Sequence, residues 1–259
     1  SAVTNKGTVS VLAGTSATPF VISNITGGGT LTVGNSTTPA YAQLHASGGT
    51  SSQASLNIAS NSSLDITNNI LTINFPAGAD PANTIRGYLA SGYNNDKWNG
   101  AGIISSNAAA DAGLYAVGYA DGSRDSGTPA GATQIVMENT LAGDANLDGT
   151  VNFADLLVVA QNFNHMLDTH GNAIDWADGD FNYDGVVNFA DLLLVAQNFN
   201  KTLSAGQLEQ LPGSFDTAWA LAEADVAASQ SSNVPEPAGI GLLAFGSAAL
   251  VRRRGRSRP

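Results

Sequence analysis

The chain has 259 residues, 29 of them glycine, no cysteine, and a formal net charge of −11 although only 12% of its residues are charged. Five of its ten basic residues lie after position 251, so residues 1–251 carry five basic side chains against 21 acidic ones. A surface this acidic repels nucleic acid, and the lack of cysteine excludes disulfides and thiol catalysis. The length allows one or two domains with hydrophobic cores.

Residues 1–75 are rich in Ser, Thr, Gly and Asn and are predicted to form a β-strand module. Apolar and polar residues alternate with a period of two in GTVSVLAG, GTLTVGN, ASLNIAS, SSLDITN and NILTINF, which predicts strands. Short strands with little charge fit the end of a β-helix or a small sandwich. The predicted inward face consists of Leu31, Val33, Leu56, Ile58, Leu64, Ile66, Leu71, Ile73 and Phe75.

Residues 76–142 change in composition and are predicted to form an α+β cap on this module. Asp80-Pro81 can start a helix over ANTIRGYLASGY. A second short helix is expected over Ser105–Ala112, and closing strands over Leu114–Ala120 and Thr133–Thr140. No two acidic residues within residues 1–143 form a pair in a recognisable catalytic context, so we predict that the chain is not itself an enzyme.

Two segments, Asp144–Asn164 and Asp180–Asn200, repeat one another 36 residues apart as DANLDGTVNFADLLVVAQNFN and DFNYDGVVNFADLLLVAQNFN. Oxygen-bearing side chains stand at positions 1, 3, 5, 9 and 12 and glycine at position 6, which is the ligand order of an EF-hand loop. A carbonyl at position 7 completes each set, and three Asp per loop favour Ca²⁺, one ion in each. The predicted ligands are Asp144, Asn146, Asp148, Thr150, Asn152 and Asp155, then Asp180, Asn182, Asp184, Val186, Asn188 and Asp191.

These repeats resemble the type I dockerin, a family whose duplicated loop–helix units carry Asp at position 12. The resemblance covers about residues 142–201, and we take residues 143–203 as a small all-α EF-hand pair. The predicted strand at Gln134–Thr140 stands where a calmodulin-like EF-hand would have an entering helix. The resemblance implies calcium binding and a protein partner, either a cohesin-like domain or another envelope protein.

In dockerins, loop positions 10 and 11 and later helix positions face the partner. The residues there are Phe153, Ala154, Ala160, Gln161 and His165 in the first repeat and Phe189, Ala190, Ala196, Gln197 and Lys201 in the second. Cellulosomal dockerins tend to have small hydroxyl residues at positions 10 and 11, whereas this chain has Phe-Ala twice. An apolar partner contact is therefore one interpretation of the two phenylalanines, and a place in the core is the other.

Apolar residues also recur at intervals of three and four along both helices and predict that the helices pack against each other. The two stripes are Phe153, Leu156, Leu157, Ala160 and Phe163, and Phe189, Leu192, Leu193, Ala196 and Phe199.

The remaining residues are predicted to form a helical spacer, 204–233, and a sorting tail, 234–259. The tail combines Pro235-Glu236-Pro237, 14 uncharged and mostly apolar residues, and a cluster that includes Arg252, Arg253 and Arg254. This order resembles a PEP-CTERM signal and predicts a C-terminal apolar helix that is short for spanning a bilayer. The resemblance implies recognition by an exosortase-type enzyme, transient membrane insertion and export to a Gram-negative envelope. With the repeats, it suggests a planctomycete-like surface protein.

Two functions are compatible with these observations. The first is an exported, non-catalytic cell-surface protein that docks a partner through its calcium module. The second is the C-terminal docking and sorting part of a polysaccharide-degrading enzyme, since the chain begins Ser-Ala-Val-Thr and we expect a processed product or a piece of a longer precursor. In a third, weaker interpretation the calcium repeats only stiffen a stalk.

Overall fold

The computed structural model describes residues 3–46, 48–125, 127–168 and 170–203. These residues all belong to the first of two compact units, which spans Ser1–Glu223. The predicted spacer, the apolar C-terminal helix and the sorting-signal residues from Pro235 to Arg254 lie outside the described residues. Within the described ranges, no helix is long and apolar enough to cross a membrane.

The N-terminal residues form a parallel β-solenoid. Parallel pairing joins strands that stand three places apart in the chain, which gives the ladders β1–β4, β2–β5–β8, β3–β6–β9 and β7–β10. In chain order the strands are β1 (Val3–Thr4), β2 (Thr8–Val11), β3 (Phe20–Ile22), β4 (Ile25–Thr26), β5 (Thr30–Val33), β6 (Tyr41–Leu44), β7 (Thr50–Gln53), β8 (Ser55–Ile58), β9 (Ser63–Asp65) and β10 (Ile70–Asn74). The β-helix prediction is therefore confirmed. The small sandwich is wrong, because sandwich sheets are antiparallel.

The nine predicted inward residues are all buried, with exposed fractions of 7% or less. They stack in register along the ladders, for example Leu31 on Leu56 and Val33 on Ile58. Polar residues also line the interior: Ser51 and Gln53 of β7 are fully buried, and Gln53 accepts a hydrogen bond from Asn5 at 2.5 Å. Such polar ladders explain why β7, with the sequence TSSQ, was not predicted.

The cap continues two of the solenoid sheets. It consists of α1 (Ala82–Tyr93), β11 (Gly102–Ile104), α2 (Ser106–Ala110), β12 (Tyr115–Asp121) and β13 (Gln134–Leu141). Strand β11 pairs in parallel with β9, and β13 pairs antiparallel with β10 and β12. Both helices and both closing strands were predicted from the sequence, whereas β11 was not. The boundaries between residues 1–75, 76–142 and 143–203 remain predictions.

The duplicated segments form two helices, α3 (Phe153–Asn162) and α4 (Phe189–Asn198), each after a loop that begins with Asp. A capping box starts each helix, with Asn152 and Asp155 in the first and Asn188 and Asp191 in the second. A short 3₁₀ turn, Trp176–Asp178, precedes the second loop.

The predicted apolar stripes are only partly packed: Leu156 and Leu192 are half-buried against the core, whereas the phenylalanines of the stripes are exposed. Val159 and Val195 are fully buried, whereas Phe153 and Phe163 are 52% and 37% exposed. A Cβ on Gly143 would come within 3.0 Å of Val195, and a Cβ on Gly179 within 3.2 Å of Val159. Each helix thus packs its central valine on the glycine that precedes the other loop. Periodicity shows which residues share a helix face, but the covering of that face depends on the loops.

Candidate calcium centre and docking surface

Backbone amides orient the carboxylates of the first loop. Asp144 accepts the N–H of Asp148 on Oδ1 at 3.1 Å and that of Gly149 on Oδ2 at 3.0 Å. Asn146 accepts the Asp148 N–H at 3.1 Å, and Asp148 accepts the N–H of Thr150 at 2.7 Å. Gly149 has φ of 79°, in the left-handed region that permits this turn without strain.

The second loop repeats these bonds. Asp180 accepts the N–H groups of Asp184 and Gly185 at 3.1 and 3.0 Å, and Asp184 accepts that of Val186 at 2.9 Å. Gly185 has φ of 83°. Equal contacts at equal loop positions show that the sequence duplication is also a duplication of loop geometry.

The carboxylate at position 12 ties each helix start to its own loop. Asp155 accepts the N–H of Ala145 on one oxygen and that of Asn152 on the other, both at 2.8 Å. Asp191 accepts the N–H of Phe181 and that of Asn188, both at 2.9 Å. Position 12 therefore lies against the start of its loop from the helix side, as an EF-hand ligand must.

The loop carboxylates are buried at a large electrostatic cost. Asp144 and Asp155 are fully buried, Asp148 is 4% exposed and Asp180 is 3% exposed. Burial raises the pKa of Asp155 to about 7. Burial, followed by the negative charge of Asp191, raises the pKa of Asp180 to about 7 as well. Burial, followed by the charges of Asp155 and Asp148, raises the pKa of Asp144 well above its usual value. A bound dication would neutralise such carboxylates, so the donor set fits Ca²⁺.

Side-chain carboxylates alone do not complete either site. Within the described part of the chain, no three Asp, Glu, His or Cys side chains are grouped closely enough to hold a metal ion. The Asn residues at position 3 and the carbonyls of Thr150 and Val186 would therefore have to contribute. Asn152 and Asn188 accept the N–H groups of Ala154 and Ala190 at 2.8 Å as helix N-caps. Their ligand role at position 9, where a water often intervenes, remains a prediction.

The predicted partner residues lie mainly on the surface. Phe153 and Phe189 are 52% and 67% exposed, so the alternative that they form the core is wrong. Ala154 is half-buried, whereas its equivalent Ala190 is exposed. The other predicted partner residues are exposed: Ala160, Gln161, His165, Ala196, Gln197 and Lys201. Both repeats therefore present an aromatic side chain at the same loop position.

The calcium module is joined to the cap by an aromatic cluster that the sequence did not predict. Tyr183, at position 4 of the second loop, donates its hydroxyl to the Val117 carbonyl of β12 at 2.6 Å. Its ring lies 6.3 Å from the ring of Trp98 and 5.8 Å from that of Trp176. Trp176 in turn donates its indole N–H to the Asp144 carbonyl at 2.6 Å. Trp98 is 1% exposed, so its side chain belongs to the core.

Polar contacts join the same two parts. Arg124, after β12, lies 3.4 Å from Asp168, 3.2 Å from Asp175 and 3.7 Å from Asp178, all in the segment between the calcium loops. Asn198 of α4 donates to the Gly113 carbonyl at 2.8 Å. The sequence contains a signal for these contacts that was missed. The segment between the calcium loops is rich in Asp, and Arg124 is one of the few arginines before the C-terminal cluster.

Comparison with known proteins finds a family match for the duplicated segments. Residues 142–200 match the family model described as the dockerin type I domain. A solved structure titled "Type II cohesin-dockerin domain from Bacteroides cellolosolvens" is 39% identical and covers 26% of this chain and 95% of that chain. Its TM-score of 0.21 is too low for a structural argument. No curated protein matches the chain. Dockerin type I domains bind calcium, and the family match identifies residues 142–200 as such a domain.

Proposed function

We propose that this chain is an exported, non-catalytic surface protein in which two calcium ions order a docking module for a cohesin-like partner. One observation carries the proposal: Phe153 and Phe189, at the same position of two equivalent loops, are 52% and 67% exposed while the adjacent Asp155 and Asp191 are fully buried. Exposed aromatic residues on a rigid base are typical anchors of protein interfaces. The loops would supply the base, because ion binding replaces the mutual repulsion of their carboxylates.

The duplication would give the partner two similar surfaces. The α3 face presents Phe153, Ala160 and Gln161, and the α4 face presents Phe189, Ala196 and Gln197. Both faces lack a basic pair and present aromatic side chains, which favours a partner with an apolar contact patch over one that hydrogen-bonds to hydroxyl groups. The exposed fraction of Phe189 is larger, so we expect the second repeat to contribute more to binding.

The C-terminal sequence supports export and sorting. Pro235-Glu236-Pro237, the apolar stretch and Arg252 to Arg254 would direct the chain to an exosortase-type enzyme after transient membrane insertion. The alternative is that the chain is the docking and sorting part of a polysaccharide-degrading enzyme with its catalytic domain upstream. That alternative shares the docking module and differs in what precedes Ser1, so the length of the native reading frame separates the two.

Partner binding is tested with the whole chain and purified cohesin domains, measured by surface plasmon resonance in calcium. Phe153→Ser and Phe189→Ser should each weaken binding, and the double variant should lose about 2 kcal/mol or more, as expected for truncated interface anchors. Phe20→Ser is the matched control, because Phe20 is an equally exposed aromatic residue, 49%, on the solenoid. Binding that is unchanged in the double variant, or equally weakened by Phe20→Ser, would contradict the proposed surface.

A further inference from the structure

Glu138 is a buried acid that nothing in the described residues stabilises. It stands in the middle of β13, is 1% exposed, and neither of its carboxylate oxygens has a hydrogen-bond partner. Burial raises the pKa of Glu138 to about 8. Buried polar groups are almost always paired, so an unpaired carboxyl inside a fold requires an explanation.

The strand register places this side chain under the first calcium loop. Glu138 is paired with Gly118 of β12, and paired residues of an antiparallel ladder project on the same face. A Cβ on Gly118 would come within 2.4 Å of the Leu147 side chain and 3.3 Å of the Trp176 ring. Leu147 is position 4 of the first loop, so this face of the hairpin is the one that the loop covers.

A second contact connects the same strand face to the loop. Thr140 follows Glu138 by two residues and therefore projects on the same side of the strand. Its hydroxyl donates to the carboxylate of Asp144, the position 1 ligand. The charge of Glu138 also contributes to the raised pKa of Asp144, after burial and the charges of Asp155 and Asp148. Glu138 and the first loop thus share one electrostatic environment.

The position that corresponds to Glu138 in the second repeat is not acidic. The residue 36 positions after Glu138 is Ile174, which is buried and apolar. The loops also differ in exposure, since Asp148 is 4% exposed whereas its equivalent Asp184 is exposed. The two sites are therefore alike in their loop residues and differ in what the cap places beneath them.

We propose that Glu138 is part of the first calcium site, a fourth carboxylate that β13 adds to the three of the loop and that the bound ion neutralises. This inference rests on the proposed calcium binding by both loops. Coulomb attraction falls slowly with distance in a poorly solvated site, so an added negative charge near the ion strengthens binding there. The first loop then binds calcium more tightly than the second.

Calorimetric titration of the whole chain with CaCl₂ tests this. The wild type should show two binding affinities, and Glu138→Gln, which removes the charge and keeps the shape, should weaken the tighter one by about tenfold or more while leaving the other within twofold. Asp184→Asn changes the second loop and should weaken the lower-affinity site instead. Glu138→Met is a second variant, with an apolar side chain that needs no hydrogen-bond partner. In chelator it should melt at a higher temperature than the wild type, because a buried unpaired acid has been removed.

Asp111→Asn is the matched control, because it removes an exposed charge of the cap outside the loops and should change neither affinity. Circular dichroism in excess calcium establishes that each variant is folded. The inference is overturned if both affinities stay within twofold of wild type in Glu138→Gln and Glu138→Met, or if both fall equally. A wild type that binds no calcium would instead refute the proposed function itself.

Discussion

The most informative single substitution is Arg124→Ala, because one guanidinium holds the segment between the calcium loops against the cap. Its three acidic partners differ in exposure: the Asp175 side chain is fully buried, whereas those of Asp168 and Asp178 are 11% and 21% exposed. Removing one partner of a buried ion pair costs about 3–5 kcal/mol, since it leaves an uncompensated charge. More exposed pairs contribute about 0–1 kcal/mol each.

The loss should depend on pH. Burial is the larger cause and the negative charge of Asp178 the next, and together they raise the pKa of Asp175 to about 7 even with Arg124 present. In Arg124→Ala the carboxyl can be protonated at low pH, which removes the uncompensated charge. We therefore expect a loss of about 3 kcal/mol at pH 8 and a clearly smaller loss at pH 6.

The assay is urea unfolding at saturating calcium, followed by tryptophan fluorescence, to which the buried Trp176 and Trp98 contribute. Adding Asp175→Asn to Arg124→Ala should recover much of the stability at pH 8, because the buried charge is then absent. Lys97→Ala is the matched control, because it removes a basic side chain from an exposed position of the cap. The proposed role of Arg124 would be refuted if Arg124→Ala lowered the free energy of unfolding by less than about 1 kcal/mol, or if the double variant recovered no stability.

Two other predictions concern the calcium loops. Asp144→Ala and Asp180→Ala should each abolish one calcium site, because each removes the position 1 carboxylate of its own loop; calorimetry that still finds two ions in either variant would show that the ligands are misassigned. Without calcium, the free energy of unfolding should rise as pH falls from 8 towards 5. The pKa values of Glu138, Asp155 and Asp180 are raised to about 8, 7 and 7, so the folded chain binds protons in this range that the unfolded chain releases. Saturating calcium should remove most of this dependence, and urea titrations with and without chelator measure it.

Local chemistry explains which features the sequence predicted. The calcium loops follow from ligand spacing within twelve residues, and the strands around Leu31, Leu56 and Leu71 follow from alternation within a few positions. Strand β6 (YAQL) has weak alternation, and its pairing partners lie 22 residues away, so a single segment does not reveal it.

Contacts between distant segments account for the features that the sequence did not predict. The bond from Tyr183 to Val117 joins residues 66 apart, and the indole bond of Trp176 to Asp144 joins residues 32 apart. The helix stripes show the same limit. The predicted stripe correctly included Leu156, which packs against the core. It also included the exposed Phe153 and Phe163 and left out Val159, which packs on Gly179.

The central claim is that both duplicated loops bind calcium and that this binding orders the docking module. Calorimetric titration of the chelator-treated whole chain with calcium, with helical circular dichroism recorded at each addition, tests it most directly. Two ions per chain, with a gain in helical signal that saturates at the second equivalent, are the predicted result. Fewer than two ions, or a spectrum that chelator leaves unchanged, would contradict the account.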